Sequence, residues 1–196
     1  MLKSLDAPLQ VAAARLHLRK PKLEDPDPIF ASFATDPDVV GFLSWEVHQS
    51  VQDTLDFLQF RRRSWSNETT FAYIIELQNS PEIPIGMIDV RRQGPRVAFG
   101  YVLARPLWGR GYMTEALSSL VGWSLNQPDI WRASAYCDAD NSASAKVMEK
   151  AGMEFEGVLH RYGVFRNVSS EPGDCVMYAK VRARRNLIGT RIKNTR

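Results

Sequence analysis

Cysteine is scarce in this chain of 196 residues, with only Cys137 and Cys175. Two cysteines without a CxxC spacing exclude a disulfide framework and a structural zinc site, and they read as buried free thiols. Histidine is nearly as rare, three in all, and none lies near Cys137 in sequence. That argues against a thiol nucleophile activated by an imidazole. No apolar run reaches the roughly 20 residues that span a bilayer, and no apolar segment with a small-residue cleavage site opens the chain. A cytoplasmic protein without a membrane segment is therefore expected. The phosphate-loop pattern GxxxxGK[ST] is also missing.

What is present is ordinary globular composition, 44% apolar and 24% charged, at a length that suits one domain. Charge is unevenly spread. Residues 182–196 hold six of the 25 basic residues and no acid, which leaves 19 basic against 22 acidic residues before them. The expected organisation is one domain over 1–181 followed by a basic C-terminal tail, 182–196. Such a tail reads either as a solvated terminus or as a contact for RNA or the ribosome. Arg61, Arg62 and Arg63 close a helical segment, where cations offset the negative end of the helix dipole.

Periodicity divides the chain into two halves. In the first, residues 15–19 alternate as a strand, and Ile29, Phe30 and Phe33 mark a short helix between prolines. Ser50 and Asp53 form a capping signature ahead of Val51, Leu55 and Leu58 on one helical face. Alternation at Phe71, Tyr73, Ile75 and Leu77 and the β-branched run from Ile83 to Val90 predict two further strands. After a turn at Gly94 and Pro95, residues 97–103 form an apolar strand expected to be buried on both faces and central in its sheet. The second half reads strand, helix, strand, helix, which needs a crossover and a parallel pair. Met113, Leu117, Leu120, Val121 and Ser124 share one face of its first helix. Asn141 is placed to cap the second helix and Gly152 to end it. Strands near 153–159 and 174–181 complete a mixed sheet.

The sharpest local feature lies between the central strand and its helix: Leu107, Trp108, Gly109, Arg110, Gly111, Tyr112, Met113, Thr114. The first amides of a helix are unpaired and carry partial positive charge. Two glycines let the backbone come close to phosphate oxygens. Arg110 adds a formal charge. A dinucleotide fingerprint fits less well, because Thr114 stands where a third glycine is needed.

On these residues, on Asn141-Ser142-Ala143-Ser144 with the following VMEKAGMEFEG, on residues 43–48, and on Asp174 with Tyr178, the sequence resembles the GNAT N-acetyltransferase superfamily. Within it, the RimJ/RimL-like branch of ribosomal-protein N-terminal acetyltransferases is the nearest pattern. The resemblance covers most of residues 15–181. It implies an α/β (α+β) fold: a mixed, mostly antiparallel seven-stranded sheet with a central splayed parallel pair and about four helices. It implies acetyl-coenzyme A as cosubstrate and no metal. The backbone of Val102 and Leu103 would pair with the pantetheine arm, residues Trp108 to Thr114 would hold the diphosphate, and Asn141 and Ser144 would lie near the thioester.

The family pattern is broken at two informative places. Pro106 replaces a Gln or Arg ahead of the first glycine. Ala98 replaces the carboxylate of the frequent Glu-x-Gly-Tyr on the central strand, and a carboxylate used elsewhere in the branch falls near Gly163. The expected chemistry is direct attack of a neutral amine on the thioester. The proton would leave through water, His48, Glu46 or Glu76, with Ser144 or Tyr178 serving the departing thiolate. Each of these also has a plain structural reading, as a cap, a strand aromatic or a loop residue. Trp45 and Trp65 either line a substrate groove or pack beneath a helix pair, and His17 and His160 read as structural or exposed. The acceptor is read as a peptide or protein N-terminal amine, with a small-molecule amine as alternative. A third reading is a catalytically idle domain that binds coenzyme A or RNA. Exposed edge strands allow a monomer or a homodimer.

Overall fold

The protein is described by a computed structural model in which residues 5–183 are defined. Residues 184–196, which carry all but one of the basic residues of the tail, lie outside the described residues, and so does the expected RNA or ribosome contact there. Arg182 belongs to the body. Its guanidinium donates to the carbonyls of Leu125 (2.8 Å), Pro128 (2.9 Å) and Gln127 and stacks on Trp131. It thereby satisfies carbonyls that the end of a helix leaves unpaired.

The strands are β1 (Gln10–Ala12), β2 (Leu16–Arg19), β3 (Thr70–Leu77), β4 (Gly86–Gln93), β5 (Arg96–Leu103), β6 (Arg132–Asp138), β7 (Glu154–Gly163) and β8 (Gly173–Val181). They form one sheet in the order β1-β2-β3-β4-β5-β6-β8-β7, antiparallel except for β5 beside β6. The sheet thus has one strand more than the seven expected. The addition, β1, is three residues long and pairs with β2 from Gln10↔Arg19 to Ala12↔His17. That is too short to leave an alternation signal. β4 begins at Gly86 rather than near Ile83, because Pro84 offers no N–H to a ladder and Ile83 is exposed.

The helices are α1 (Pro26–Ile29), which runs into a π-helical turn at Phe30–Ala34, then α2 (Pro37–Val40), α3 (Val51–Ser66), α4 (Tyr112–Asn126) and α5 (Ser142–Lys150). α3 starts as its capping signature requires: Ser50 Oγ accepts from Asp53 N, and Asp53 Oδ2 accepts from Ser50 N. On α4, Met113, Leu117, Leu120, Val121 and Ser124 are all buried, as the 3.6-residue period demands. α3 covers one face of the sheet, and α4 and α5 cover the other.

β5 lies near the centre of the sheet, but it is not buried on both faces. Ala98, Gly100 and Tyr101 are only half-buried. The cause is the parallel pair beside it. Pairing of β5 with β6 runs from Arg96↔Arg132 to Phe99↔Ala135 and stops, while β6 continues alongside β8 as far as Asp138↔Cys175. Beyond Phe99 the two central strands diverge and a cleft opens between them.

Candidate active site

The loop entering α4 is open to an anion. Gly109 and Gly111 take φ of 74° and 78°, the left-handed region that costs glycine least. Gly111 is the N-cap of α4, and no side chain bonds to the cap. Among the described residues, the amides of Tyr112, Met113 and Thr114 find no acceptor in the preceding loop. A Cβ on Gly109 would meet nothing within 4 Å, so the approach is clear as well as polar. Arg110 stands between the two glycines. Unpaired amides, left-handed glycines and a cation fit a diphosphate.

Arg15, from the turn between β1 and β2, braces this loop. Its N–H and Nε donate to the two carboxylate oxygens of Glu115 at 2.7 Å each, its Nη1 donates to the carbonyl of Arg110 at 3.1 Å, and its guanidinium lies over the Tyr112 ring. No local pattern in the sequence joins residues a hundred positions apart.

The cleft edge of β5 follows from strand alternation. Ala104 N–H donates to Ile85 at the entrance to β4 (2.8 Å), so the backbone groups of Tyr101 and Leu103 point the other way, towards the gap. Val102, expected to present its peptide groups there, pairs with Met87 on β4 instead. The Leu103 carbonyl is taken by the indole Nε1 of Trp108 at 2.7 Å, leaving the Tyr101 backbone and the Leu103 N–H along the cleft. Across the gap, Asn141 caps α5 by accepting from Ser144 N (3.0 Å). Ser144 Oγ lies 2.7 Å from the Tyr101 hydroxyl. Burial pushes the Tyr101 phenol well above its usual range, so it remains a proton carrier.

Other expected residues stand elsewhere. The Tyr178 hydroxyl donates to Glu149 at 2.8 Å; it is Tyr101 that sits beside Ser144. Glu46 is exposed and lies 3.9 Å from Arg166. Glu76 is buried in a pair with Arg19, which also grips Asp25, and is therefore committed to holding β2 on β3. His48 is buried, with Nδ1 2.8 Å from Thr54 Oγ1, and packs between Trp45 and Phe57. Burial lowers its pKa, so it is a neutral support for Trp45. Trp65 donates to the Ala72 carbonyl and packs on Phe71 and Tyr73, a core role. Cys137 is buried and its thiol is pushed up to about 11 by that burial; a neutral thiol is a poor nucleophile.

On the α3 side of the sheet a pocket of about 50 Å³ adjoins the cleft, lined among others by Trp45, Arg61, Met87, Asp89, Arg91 and Tyr101. Arg61 does not project from the end of α3 as the dipole argument supposed. Its Nη2 lies 3.1 Å from Asp89 Oδ2, and Arg63 alone occupies the last turn. The Trp45 edge of this pocket is anchored by Asn167, whose amide donates to the carbonyls of Trp45 (2.8 Å) and Val40 (3.0 Å). Beyond it, a wider cavity of about 450 Å³ is bordered by Asp138, Asp140, Glu171 and Asp174. Backbone and His160 hydrogen bonds hold the Asp174 carboxyl below its ordinary range. Among the described residues, no group of three or more His, Cys, Asp or Glu is placed to hold a metal ion.

The comparisons with known proteins agree with this geometry. A family described as an acetyltransferase (GNAT) domain matches residues 15–154. The uncharacterized N-acetyltransferase YoaA of Bacillus subtilis (strain 168) is 27% identical over 172 residues, covering 87% of this chain and 95% of that protein. Two solved structures share the fold. RimL, a ribosomal alpha-N-protein acetyltransferase in complex with coenzyme A, has a TM-score of 0.76 at 21% identity, covering 88% of this chain and 97% of the other. The microcin C7 self-immunity acetyltransferase MccE, in complex with acetyl-CoA and AMP, has a TM-score of 0.75 at 20% identity, covering 86% and 93%.

Proposed function

Because the chain belongs to the GNAT acetyltransferase family and is an acetyl-coenzyme A dependent N-acetyltransferase, we propose that its acceptor is the α-amino group of a peptide or protein N-terminus, as in the RimJ/RimL-like branch. The observation that carries this reading is the acceptor pocket. It is small, lies against the cleft between β5 and β6, and is walled on one side by the loop of residues 43–45, which Asn167 anchors through the Trp45 carbonyl. Such a pocket suits the free end of a chain. Likeness to RimL, which acts on an α-amine, supports the same choice.

The chemistry suits it too. Ala98 leaves the central strand without a carboxylate, so an acceptor that deprotonates readily is favoured. An α-amine with a pKa near 7.7–8 is about 10–15% neutral at pH 7, against roughly one lysine side chain in 2,500. Acetyl-coenzyme A supplies an activated acetyl thioester. The amides from Gly109 to Thr114, with Arg110, hold its diphosphate. The Tyr101 backbone and the Leu103 N–H align its arm, and the Leu103 N–H serves the developing oxyanion. Ser144 and Tyr101 pass a proton towards the leaving sulfur. Cys137 takes no part as a nucleophile.

A panel assay tests the acceptor. Acetyl-coenzyme A consumption is measured with free-N-terminus peptides, the same peptides blocked at the α-amine but carrying lysine, free amino acids and amino sugars. Mass spectrometry then locates the acetyl group. Acetylation of the α-nitrogen is expected. Turnover confined to lysine side chains or to small amines overturns the reading.

A further inference from the structure

One acid at the site was not marked by any motif. Asp89 lies in the middle of β4, directly across from Gly100 and two pairs along from Arg91↔Ala98, on the same face. Opposed residues of an antiparallel pair share a face, so Asp89 projects on the α3 side beside the position where the family pattern holds a glutamate and this chain has Ala98. It is 5% exposed and lines the acceptor pocket. One carboxylate oxygen faces Arg61; the other, Oδ1, is buried without a hydrogen-bond partner among the described residues. A buried carboxylate oxygen left without a donor is costly. Gly100 brings no side chain to cover it.

The lone pairs of Asp89 Oδ1 are open to a donor that enters the pocket. It must be small enough for the pocket and must reach the cleft. An ammonium group meets these requirements. Arg61 Nε and Arg91 Nε are likewise buried without an acceptor, and they are complementary to a carbonyl next to the amine. That pairing is found in an α-aminoacyl end and absent from a lysine side chain.

We propose that Asp89 docks the ammonium group of the acceptor and takes its first proton, performing from β4 the task that a glutamate at position 98 would perform from β5. The proposal rests on the N-terminal acetyltransferase reading above. The ammonium gives one proton to Asp89 Oδ1. The freed nitrogen lone pair forms the C–N bond to the thioester carbonyl carbon, and the C–S bond breaks with its electron pair on sulfur. Sulfur gains a proton, the nitrogen loses its second, and Asp89 returns the first to water. Burial raises the Asp89 pKa while Arg61 and Arg91 oppose the rise, which brings the carboxylate towards the range of a useful base. The charged groups around it are Arg61 from α3 and Arg91 from β4, with the Tyr136 phenol of β6 sensing Arg91 from beyond.

Asp89→Asn keeps the shape and removes the charge. With the best amine from the panel, kcat/KM at pH 7 is expected to fall on the order of 10²–10⁴-fold, while the rise in melting temperature caused by acetyl-coenzyme A is unchanged. The loss should shrink as pH passes the acceptor's own pKa, since a neutral amine needs no base. A loss below about threefold at pH 7, or one equally large above the acceptor pKa, overturns the proposal. Should the variant fail to melt cooperatively, the unsubstituted enzyme decides. With coenzyme A present, a peptide whose α-amine is replaced by hydrogen should bind at least about tenfold more weakly than its parent, and equal binding overturns the proposal. Turnover of an amine with an indifferent Asp89→Asn overturns this proposal alone. Absence of turnover for every amine overturns the functional reading and takes the proposal with it.

Discussion

Arg15 holds both carboxylate oxygens of Glu115 at 2.7 Å, one through its backbone N–H and the other through its side chain. Glu115 sits in the first turn of α4, where an acid favours the helix dipole but repels a bound diphosphate. Arg15 resolves the conflict by neutralising the acid and, through Arg110, fixing the loop. Arg15→Ala is expected to raise the KM for acetyl-coenzyme A by roughly tenfold, or about 1.4 kcal/mol, with kcat changed little. Initial-rate kinetics check this, and an unchanged KM would leave the brace without a role in binding.

Gly111 carries the second prediction. Its φ of 78° is disfavoured for a residue with a Cβ and most disfavoured for a β-branched one. Gly111→Val should abolish the melting shift that acetyl-coenzyme A produces. For the native chain at a hundredfold excess of ligand over Kd that shift is about 5–10 °C, from about 2.7 kcal/mol of linkage. A shift retained in the variant would put the diphosphate elsewhere.

The Tyr101 and Ser144 hydroxyls, 2.7 Å apart, form a unit that sequence did not reveal. Tyr101→Phe should lower kcat by roughly ten- to a hundredfold while the affinity for acetyl-coenzyme A holds. Ser144→Ala should do the same, and the double variant should lose little more than either alone. Additive losses, measured in the same assay, would show that the two hydroxyls act separately.

Cys137 is predicted to be silent. As an acid whose pKa is pushed up to about 11 by burial, it stays protonated throughout the neutral range and ionises only as pH rises towards that value. Cys137→Ala should keep kcat within about threefold at pH 7, and double-reciprocal plots should intersect. Parallel lines, together with inactivity of the variant, would point instead to an acetyl-cysteine intermediate.

Much of this molecule can be read without coordinates where the signal is local. The Gly109-x-Gly111 step, the Ser50 and Asp53 cap of α3, and the Asn141 cap of α5 each lie within a few residues, and all three stand where the pattern put them. Side-chain direction in loops is a different matter. Glu46 and His48 are two residues apart, yet one projects into solvent and the other is buried beneath Trp45. Nothing in their spacing encodes that divergence. Registers between strands are equally hidden: Asp89 gains its setting from Gly100 across the ladder and Arg61 on a distant helix. Tyr178 and Tyr101 both reach α5, but Tyr178 meets Glu149 in its last turn and Tyr101 meets Ser144 in its first.

The amide of Asn167 spans the segment before α3 and the segment between β7 and β8 with two hydrogen bonds. The loop carrying Trp45, which lines the acceptor pocket, is consequently anchored to the segment between β7 and β8. A change at Asn167 is therefore expected to loosen the pocket wall at Trp45 and to be felt as altered acceptor selectivity. Tuning which terminus enters is then a matter of a remote anchor as well as of the wall itself.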